Sequence, residues 1–386
     1  MLLVLAGLGA GPPTAASAAT CATPRVVSSS YGPARSVSTE VCTLSLTPGA
    51  NVLRWDRPVA PADDVLSTIP SSARSAGLSV WHFDPGRRRW TAWGDSVPAG
   101  LPTLDRIDRG AIYFVDAPFA ADWSLPAPFS SVFDGAQVVS FYGFPGIPSM
   151  GALGTYSPAN AIEAVRELAA QYDALNGDLD VIPAVHPIVA VAQPVPLADG
   201  SYLGRMHPDT ISSYVEAARD ANALVFLDIQ IGWSDPLAEV KRLEPFLTEP
   251  FVHIALDPEF STAARGVAPG QVIGSLDAAR VNEVQAYLAE LAREHGLPPK
   301  VLVLHQFDVG MLNDPDEYTA HDEVEILIDM DGFGGVGIKT RHYTWYALAS
   351  YAERPGIKLF FNWDTPLMSP AAVMGLPTPP ALVIYQ

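Results

Sequence analysis

Basic residues and cysteines are scarce in this 386-residue sequence. Lys and Arg together number 23, against 42 Asp and Glu, which gives a formal net charge of -19 at pH 7. A negative charge of this size repels nucleic-acid phosphates and anionic lipid surfaces, so we expect no nucleic-acid partner. The two cysteines, Cys21 and Cys42, are too few for a four-cysteine metal site.

Several motifs of familiar enzyme classes are also missing. No G-x-S-x-G motif occurs and no cysteine follows Cys42, which disfavours nucleophilic acyl chemistry. No G-x-G-x-x-G motif opens a βα unit, and we interpret the glycine-rich stretch 332–337 as a turn or lid. The sequence contains no H-x-H or H-E-x-x-H motif that would indicate a zinc site. Two kinds of catalytic chemistry remain possible, namely acid–base catalysis by carboxylates and catalysis by a metal held by carboxylates and a histidine.

The N-terminal segment has the composition of an export signal. Residues 1–20 combine an apolar run with small residues near Ser17 to Ala19, which predicts a secretory signal peptide. The run is too short to span a membrane, so we expect a secreted protein, with attachment to the cell surface as the alternative. Export would permit one disulfide bond, between Cys21 and Cys42.

Two domains are predicted from the patterns that follow. Residues 39–126 contain short runs of aromatic and β-branched residues separated by turns, which indicate a small all-β module. A proline-rich linker follows, and residues 131–386 alternate between strand and helix patterns. Eight strands in about 255 residues favour a (β/α)8 barrel, an α/β fold, over its main rival, an open doubly wound sheet. The predicted strands are 136–143, 182–193, 223–232, 251–260, 301–307, 325–333, 358–364 and 381–386.

Polar side chains recur where these strands end. In the stretch "FVHIALDPEF", residues 251–260, side-chain alternation places Asp257 and Glu259 on the same side. Other predicted strands also carry polar residues on one face and apolar residues on the other. The apolar faces, which include Phe361 and Trp363 on the seventh strand, are predicted to pack beneath helices. The carboxyl ends of barrel strands are where barrel enzymes carry their active sites. The remaining polar candidates are Tyr142, Asp228, Gln230, His305, Asp329, Asp331, Asn362 and Asp364.

Part of this stretch resembles the fourth-strand signature of chitinase-type glycoside hydrolases, D-x-x-D-x-D-x-E. Asp257 matches its last aspartate and Glu259 its general acid, while Val252 and Ala255 occupy the two earlier aspartate positions. The resemblance implies that Glu259 protonates the leaving oxygen. More broadly, the stretches "LDPEF" (256–260), "KVLVLHQF" (300–307), "DMDGFGG" (329–335) and "KLFFNWDTP" (358–366) together resemble a set of exported barrel proteins of actinobacteria and relatives. This resemblance covers most of residues 137–386 and implies no activity.

Our leading hypothesis is a secreted glycoside hydrolase that cleaves an extracellular or cell-wall polysaccharide without a cofactor. Glu259 is the expected general acid and Asp257 its neighbour, with Asp364 or Asp329 as base or nucleophile. The predicted sugar-binding residues are Tyr142, Asp228, Gln230, Trp233, His305, Asp331 and Asn362.

Two alternatives stay open. One is a metal-dependent hydrolase that holds Mg, Ca or Mn through Asp257, Glu259, His305, Asp329 and Asp331. The other is a noncatalytic carbohydrate-binding barrel, because a fold alone does not define a function. The other histidines, among them His186 and His253, are interpreted as structural or exposed.

Overall fold

The computed structural model describes residues 41–54, 60–84, 88–107, 111–126, 131–177 and 179–386, with the backbone of 14–15 and 20–21. The predicted signal peptide therefore lies almost wholly outside the described residues. The chain divides into two compact units, and the boundary falls between Phe129 and Ser130. Among the described residues, no helix has the length and apolar character needed to cross a membrane.

The N-terminal unit is built mainly from short strands. One hairpin pairs Ser79–Asp84 antiparallel to Arg89–Trp93. Cys21 lies opposite Cys42 in an antiparallel pair, a backbone register that suits the predicted disulfide. The other strands are Thr14–Ala15, Thr20–Cys21, Val41–Leu46, Gly49–Arg54, Ala60–Pro61, Arg106–Ile107, Ile112–Ala117 and Ala121–Pro126, and two short helices span Ala62–Leu66 and Ser71–Ser75.

The C-terminal unit is a closed barrel of eight parallel strands, which confirms the predicted fold class. The strands are β1 Ala136–Gly143, β2 Asp180–Ala192, β3 Leu224–Ile229, β4 Val252–Leu256, β5 Lys300–Gln306, β6 Val324–Met330, β7 Arg354–Leu359 and β8 Leu382–Tyr385. The last strand, β8, pairs with both β7 and β1, and β1 pairs with β2, so the ring is complete. Closure leaves no unpaired edge between the first and last strands.

Helices connect most of the barrel strands. They are α1 Pro158–Asp173, α2 Pro208–Ala221, α3 Pro236–Arg242, α4 Glu244–Leu247, α5 Ala278–His295, α6 Val336–His342 and α7 Pro370–Met374, with a π-helical turn at Tyr343–Ala347 after α6. Between β5 and β6, where every residue is described, two 3-10 turns at Val309–Met311 and Pro315–Glu317 replace the helix. Further 3-10 turns span Pro148–Met150, Ala152–Gly154, Pro258–Phe260 and Ala263–Arg265. Short strands add Leu203–Arg205 beside β2 and pair Leu276–Asp277 with Leu312–Asn313.

Local sequence signals explain where the two long outer helices begin and end. Pro158 occupies the first turn of α1, where its missing N–H costs nothing, and Ser157 precedes it in an extended conformation. Gly296 ends α5 in the left-handed conformation, as its position after the apolar stripe predicts. The buried faces of these helices pack on the barrel strands and form one continuous core.

Candidate active site

The strand ends deliver charged and polar side chains to the interior of the barrel. Asp228 lies in β3, Asp257 follows β4 and His305 lies in β5, and all three are buried. The cluster contains side chains that are buried or, for Glu259, partly exposed, and we call it the acid cluster. Its members are Tyr142, His186, Asp228, Asp257, Glu259, His305, Asp329, Asp331 and Lys358.

His305 joins three carboxylates of the acid cluster. Its Nε2 lies 2.8 Å from Asp228 Oδ2, and its Nδ1 lies 2.9 Å from Asp329 Oδ2 and 3.3 Å from Asp331 Oδ2. Because both ring nitrogens face carboxylate oxygens, both carry protons and the ring is an imidazolium. Burial lowers the pKa of His305, but the charge and hydrogen bonds of these carboxylates outweigh it and raise the pKa well above its ordinary value.

Lys358 supplies the second positive charge. Its Nζ lies 3.1 Å from Oδ1 and 3.2 Å from Oδ2 of Asp331, and 3.5 Å from the centre of the Tyr142 ring. Burial lowers the pKa of Lys358, yet Asp331 and the other carboxylates raise it overall, so the side chain is an ammonium ion. Together, His305 and Lys358 compensate part of the negative charge that burial makes costly.

A glycine in β7 makes room for one of the carboxylates. Gly356 pairs in register with Asp329 on β6. A Cβ atom at Gly356 would lie 2.7 Å from Leu327 Cδ2 and 3.2 Å from Asp329 Cα. A larger residue would therefore displace β6 at the position that carries Asp329, which explains a glycine in the middle of a strand.

Two carboxyl groups of the cluster hold their protons more tightly than usual. Burial raises the pKa of Glu259, and the negative charge of Asp331 raises it further. Burial also raises the pKa of Asp257 well above its ordinary value; His305 opposes this shift, and the charges of Glu259 and Asp228 add to it. Asp331 shifts in the opposite direction, because Lys358 and His305 outweigh its burial and lower its pKa.

Exposure separates the carboxyl groups that a substrate can reach from those that it cannot. The side chains of Asp228 and His305 are 0% exposed, and Asp329 is equally buried. Glu259 is partly exposed, and 8% of Asp331 remains accessible. Glu259 is therefore the most accessible acid of the cluster, and Asp331, although buried, keeps a small exposed fraction beside the buried layer of His305, Lys358, Asp228 and Asp329.

Not every predicted residue lies in this cluster. Asp364 is buried and forms an ion pair with Lys339 at 2.9 Å, and it accepts hydrogen bonds from the backbone N–H groups of Gly334 and Phe360. It thus ties the loop after β6 to the loop after β7. Asn362 lies exposed in that second loop.

Gln230 and Trp233 hold backbone segments in place. Gln230 accepts a hydrogen bond from the backbone N–H of Ala192 at the end of β2. The indole N–H of Trp233 donates to Thr262 Oγ1 at 3.1 Å and to the carbonyl oxygen of Val267 at 3.0 Å. Trp233 therefore joins the loop after β3 to the loop after β4, and its ring is half-buried.

One predicted orientation is wrong. Alternation along the seventh strand places Phe361 and Trp363 beneath helices, but the structure leaves them 44% and 52% exposed. The cause is that β7 ends at Leu359, so alternation no longer fixes the direction of the side chains beyond it.

Two members of the cluster were not found from the sequence. His186 Nε2 lies 3.5 Å from Asp228 Oδ2, and burial lowers its pKa, so the ring is neutral. The sequence pattern predicts that His186 is structural or exposed. Lys358 is the second, although its position gave a signal: it shares the alternation of Asn362 and Asp364 on a strand that is otherwise apolar.

Two features of the cluster disfavour a bound metal ion. Two groups bring their donor atoms close enough to share a cation, His186 with Asp228 and His305, and His305 with Asp329 and Asp331. Both depend on His305, whose ring nitrogens both lie within hydrogen-bonding distance of carboxylate oxygens, so the imidazolium that these contacts favour would have to lose a proton before it could bind a metal. The ammonium of Lys358, which contacts Asp331, would also repel a divalent cation.

Comparisons with known proteins add little to this description. No protein-family model matches the sequence, and no curated protein matches it. Among solved structures, the chain is similar to an alkaline cellulase K catalytic domain, with 12% sequence identity and a TM-score of 0.30. The similarity covers 69% of this chain and 60% of that one, so it spans less than two thirds of the cellulase domain. A likeness at this score supports no argument, and the assignment of the barrel rests on its strand pairing.

Proposed function

We propose that this protein is a secreted glycoside hydrolase in which Glu259 is the general acid and Asp331 the base or nucleophile. One observation carries the proposal: within the same cluster, the surroundings raise the pKa of Glu259 and lower that of Asp331. Two carboxyl groups whose pKa values are shifted apart suit the acid and base roles in cleavage of a glycosidic bond. The partial resemblance of the fourth strand to chitinase-type enzymes also assigns the acid to Glu259.

The two carboxyl groups would divide the reaction between them. Glu259 would give its proton to the leaving glycosidic oxygen as the bond from that oxygen to the anomeric carbon breaks. The Asp331 carboxylate would either attack the anomeric carbon or accept a proton from the water molecule that does so. Tyr142 and Lys358 do not contact substrate in this scheme, because both are buried.

The buried layer would hold the Asp331 carboxylate in its ionised form. Lys358 contacts both oxygens of Asp331, and His305 lies 3.3 Å from one of them. Removing either cation would raise the pKa of Asp331, since the neighbouring carboxylates would then repel its charge. In this scheme, Lys358 and His305 are positioning residues.

Asp331 takes the role that the sequence had given to Asp364 or Asp329. The Asp364 carboxylate is already occupied by Lys339 and two backbone N–H groups. Asp329 is fully buried and bound to His305. Asp331 is also buried and paired, but it is more exposed, at 8% against 5% for Asp364 and 0% for Asp329, and its charge acts on the pKa of Glu259.

Hydrolysis of polysaccharides tests the proposal. The full-length protein is incubated with a panel of cell-wall and storage polysaccharides, and new reducing ends are measured beside Glu259→Gln and the control Glu290→Gln. Glu290 lies on α5 with 78% of its side chain exposed, so its substitution should leave turnover unchanged. We expect Glu259→Gln to lower turnover by about 100-fold to 10,000-fold, because the proton of the general acid is lost. Equal turnover in Glu259→Gln and Glu290→Gln, or none in the native protein on the whole panel, would contradict the proposal.

A further inference from the structure

Four aromatic side chains are exposed on the loops at the carboxyl end of the barrel strands. They follow β1, β6 and β7, the strands that also carry Tyr142, Asp329 and Lys358. Their exposed fractions range from 42% to 64%. We call this set the aromatic ridge, and it consists of Tyr156, Phe333, Phe361 and Trp363.

Buried rings hold the aromatic ridge from below. Trp363 stacks on Phe360 with ring centres 5.4 Å apart and an interplanar angle of 22°, and Phe333 meets Trp363 at 5.7 Å. On the other side, Phe141 lies 6.1 Å from Phe361 and 6.0 Å from Tyr156. Because Phe360 and Phe141 are 5% and 6% exposed, the ridge rests on the barrel core.

The aromatic ridge is continuous with the acid cluster. Lys358 Nζ lies 5.4 Å from the centre of the Phe360 ring, so one buried ring separates Trp363 from the ammonium that contacts Asp331. The ion pair between Asp364 and Lys339 fixes the loops beneath it, since Asp364 binds the backbone of Gly334 and of Phe360. The aromatic ridge therefore borders the acid cluster.

Charge and ring geometry identify the ligand class. Exposed aromatic rings bind groups that present flat apolar surfaces, and the C–H faces of pyranose rings are such surfaces. A protein with a formal charge of -19 repels an anionic polymer. We propose that the aromatic ridge is the binding subsite for a neutral glycan chain, an inference that rests on the proposed hydrolase function.

Affinity electrophoresis tests this assignment. The inactive Glu259→Gln protein runs in native gels that contain soluble neutral polysaccharides, namely hydroxyethylcellulose, mixed-linkage β-glucan, galactomannan and glycol chitin, and in a gel with anionic carboxymethylcellulose. Trp363→Ala and Phe333→Ala are added separately to this background. The matched control is Trp345→Ala, a tryptophan that is 57% exposed in the π-helical turn after α6 and packs on His342 instead of the ridge.

At least one neutral polysaccharide should retard the parent protein. Loss of Trp363 should weaken that retardation about tenfold or more, which corresponds to the loss of one good stacking contact, while the Trp345 variant should match its parent. The anionic gel should retard none of them. Thermal melting verifies that each variant is folded.

Four results would overturn the assignment. They are absence of retardation in every neutral gel, equal losses in the Trp363 and Trp345 variants, stronger retardation by the anionic polymer, and a dimer in sedimentation that Trp363→Ala dissociates. The last would identify a second copy of the chain as the occupant. Binding in the Glu259→Gln background is measured separately from turnover by the native protein. If binding depends on Trp363 but the native protein shows no turnover, the proposed hydrolase function is rejected and the proposed glycan-binding site is retained.

Discussion

The two ends of the barrel each bury a lysine, and the lysines differ in their partners. At the carboxyl end, Lys358 contacts Asp331 at 3.1 Å, and carboxylates raise its pKa. At the amino end, Lys300 opens β5 and donates hydrogen bonds to the carbonyl oxygens of Glu249 at 2.6 Å and Val252 at 3.0 Å. Burial lowers the pKa of Lys300 to about 7. The same residue type is therefore an ion-pair partner at one end, and at the other a hydrogen-bond donor to carbonyl groups that loses its charge near neutral pH.

Buried histidines repeat the contrast. At the amino end, His253 Nδ1 accepts a hydrogen bond from the backbone N–H of Val301, and burial, with the nearby charge of Lys300, lowers the pKa of His253 well below its ordinary value. His305 at the carboxyl end is charged. Both ends of the barrel thus bury titratable groups. At the carboxyl end, the buried carboxylates of the acid cluster outnumber the buried cations His305 and Lys358, which suits acid–base chemistry.

The largest effect should follow from removing the lysine that balances the carboxylates. Lys358→Met leaves Asp331 without its ammonium partner, and we expect the free energy of unfolding to fall by about 3–5 kcal/mol at pH 7. Lys300→Met should cost about 1–3 kcal/mol, because two carbonyl groups lose a donor but no buried charge is stranded. Urea unfolding followed by circular dichroism at 222 nm measures both.

A double variant separates charge from packing in that experiment. Lys358→Met combined with Asp331→Asn should recover most of the lost stability, since neither charge remains. If the double variant is as unstable as Lys358→Met alone, or if the two lysine variants lose equal stability, the contrast between the ends is wrong.

The pH dependence of stability should distinguish the lysines next. The pKa of Lys300 in the folded protein, about 7, lies below its ordinary value of 10.5, so the unfolded chain binds more protons between these values. The stability penalty of Lys300 therefore shrinks as pH rises from about 7 towards 10.5. Relative to Lys300→Met, the native protein should gain up to about 1.4 kcal/mol per pH unit between pH 7.5 and 9.5. A constant difference between the two unfolding free energies across this range would refute the assignment.

A smaller effect is expected at Asp257. Its pKa is raised in the folded protein, so folding holds a proton there that the unfolded chain releases, and this linkage costs stability at pH 7. Asp257→Asn should leave the melting temperature unchanged or higher at pH 7, and its advantage should shrink as pH falls towards 3.8 and vanish below it, where the unfolded chain is protonated as well. A clear drop in melting temperature at pH 7 would show that the carboxylate stabilises the fold.

Removal of metal ions should have the smallest effect. Because His305 and Lys358 compensate part of the carboxylate charge without a metal ion, dialysis against EDTA should change neither the melting temperature nor the rate on any polysaccharide that the protein cleaves. Loss of either property, with recovery on adding Mg²⁺, Ca²⁺ or Mn²⁺, would favour the metal-dependent alternative.

Sequence alone predicted the barrel and much of its interior because strand alternation is a reliable guide inside a strand. Asp228, Asp257, His305 and Asp329 all lie within a strand or one residue beyond it, and the structure brings them together. Asp364 is predicted to lie in the site only if alternation continues to residue 364. Because β7 ends at Leu359, alternation does not fix the direction of Asp364, which pairs with Lys339 instead.

The pairing of the charges could not be predicted in the same way. It depends on distances between strands that are far apart in the sequence, such as the 3.1 Å contact of Lys358 with Asp331. Strand patterns specify which face a residue occupies, but not which partner it meets across the barrel.

The central claim is that the surroundings shift the pKa values of Glu259 and Asp331 in opposite directions. Carbon-13 NMR of side-chain carboxyl groups in the full-length protein measures both pKa values without a substrate, with Glu259→Gln and Asp331→Asn used to assign the signals. We predict that Glu259 titrates above its ordinary value of 4.5 and Asp331 below its ordinary value of 3.8. A Glu259 that titrates at or below 4.5, or an Asp331 that titrates above Glu259, would contradict the account.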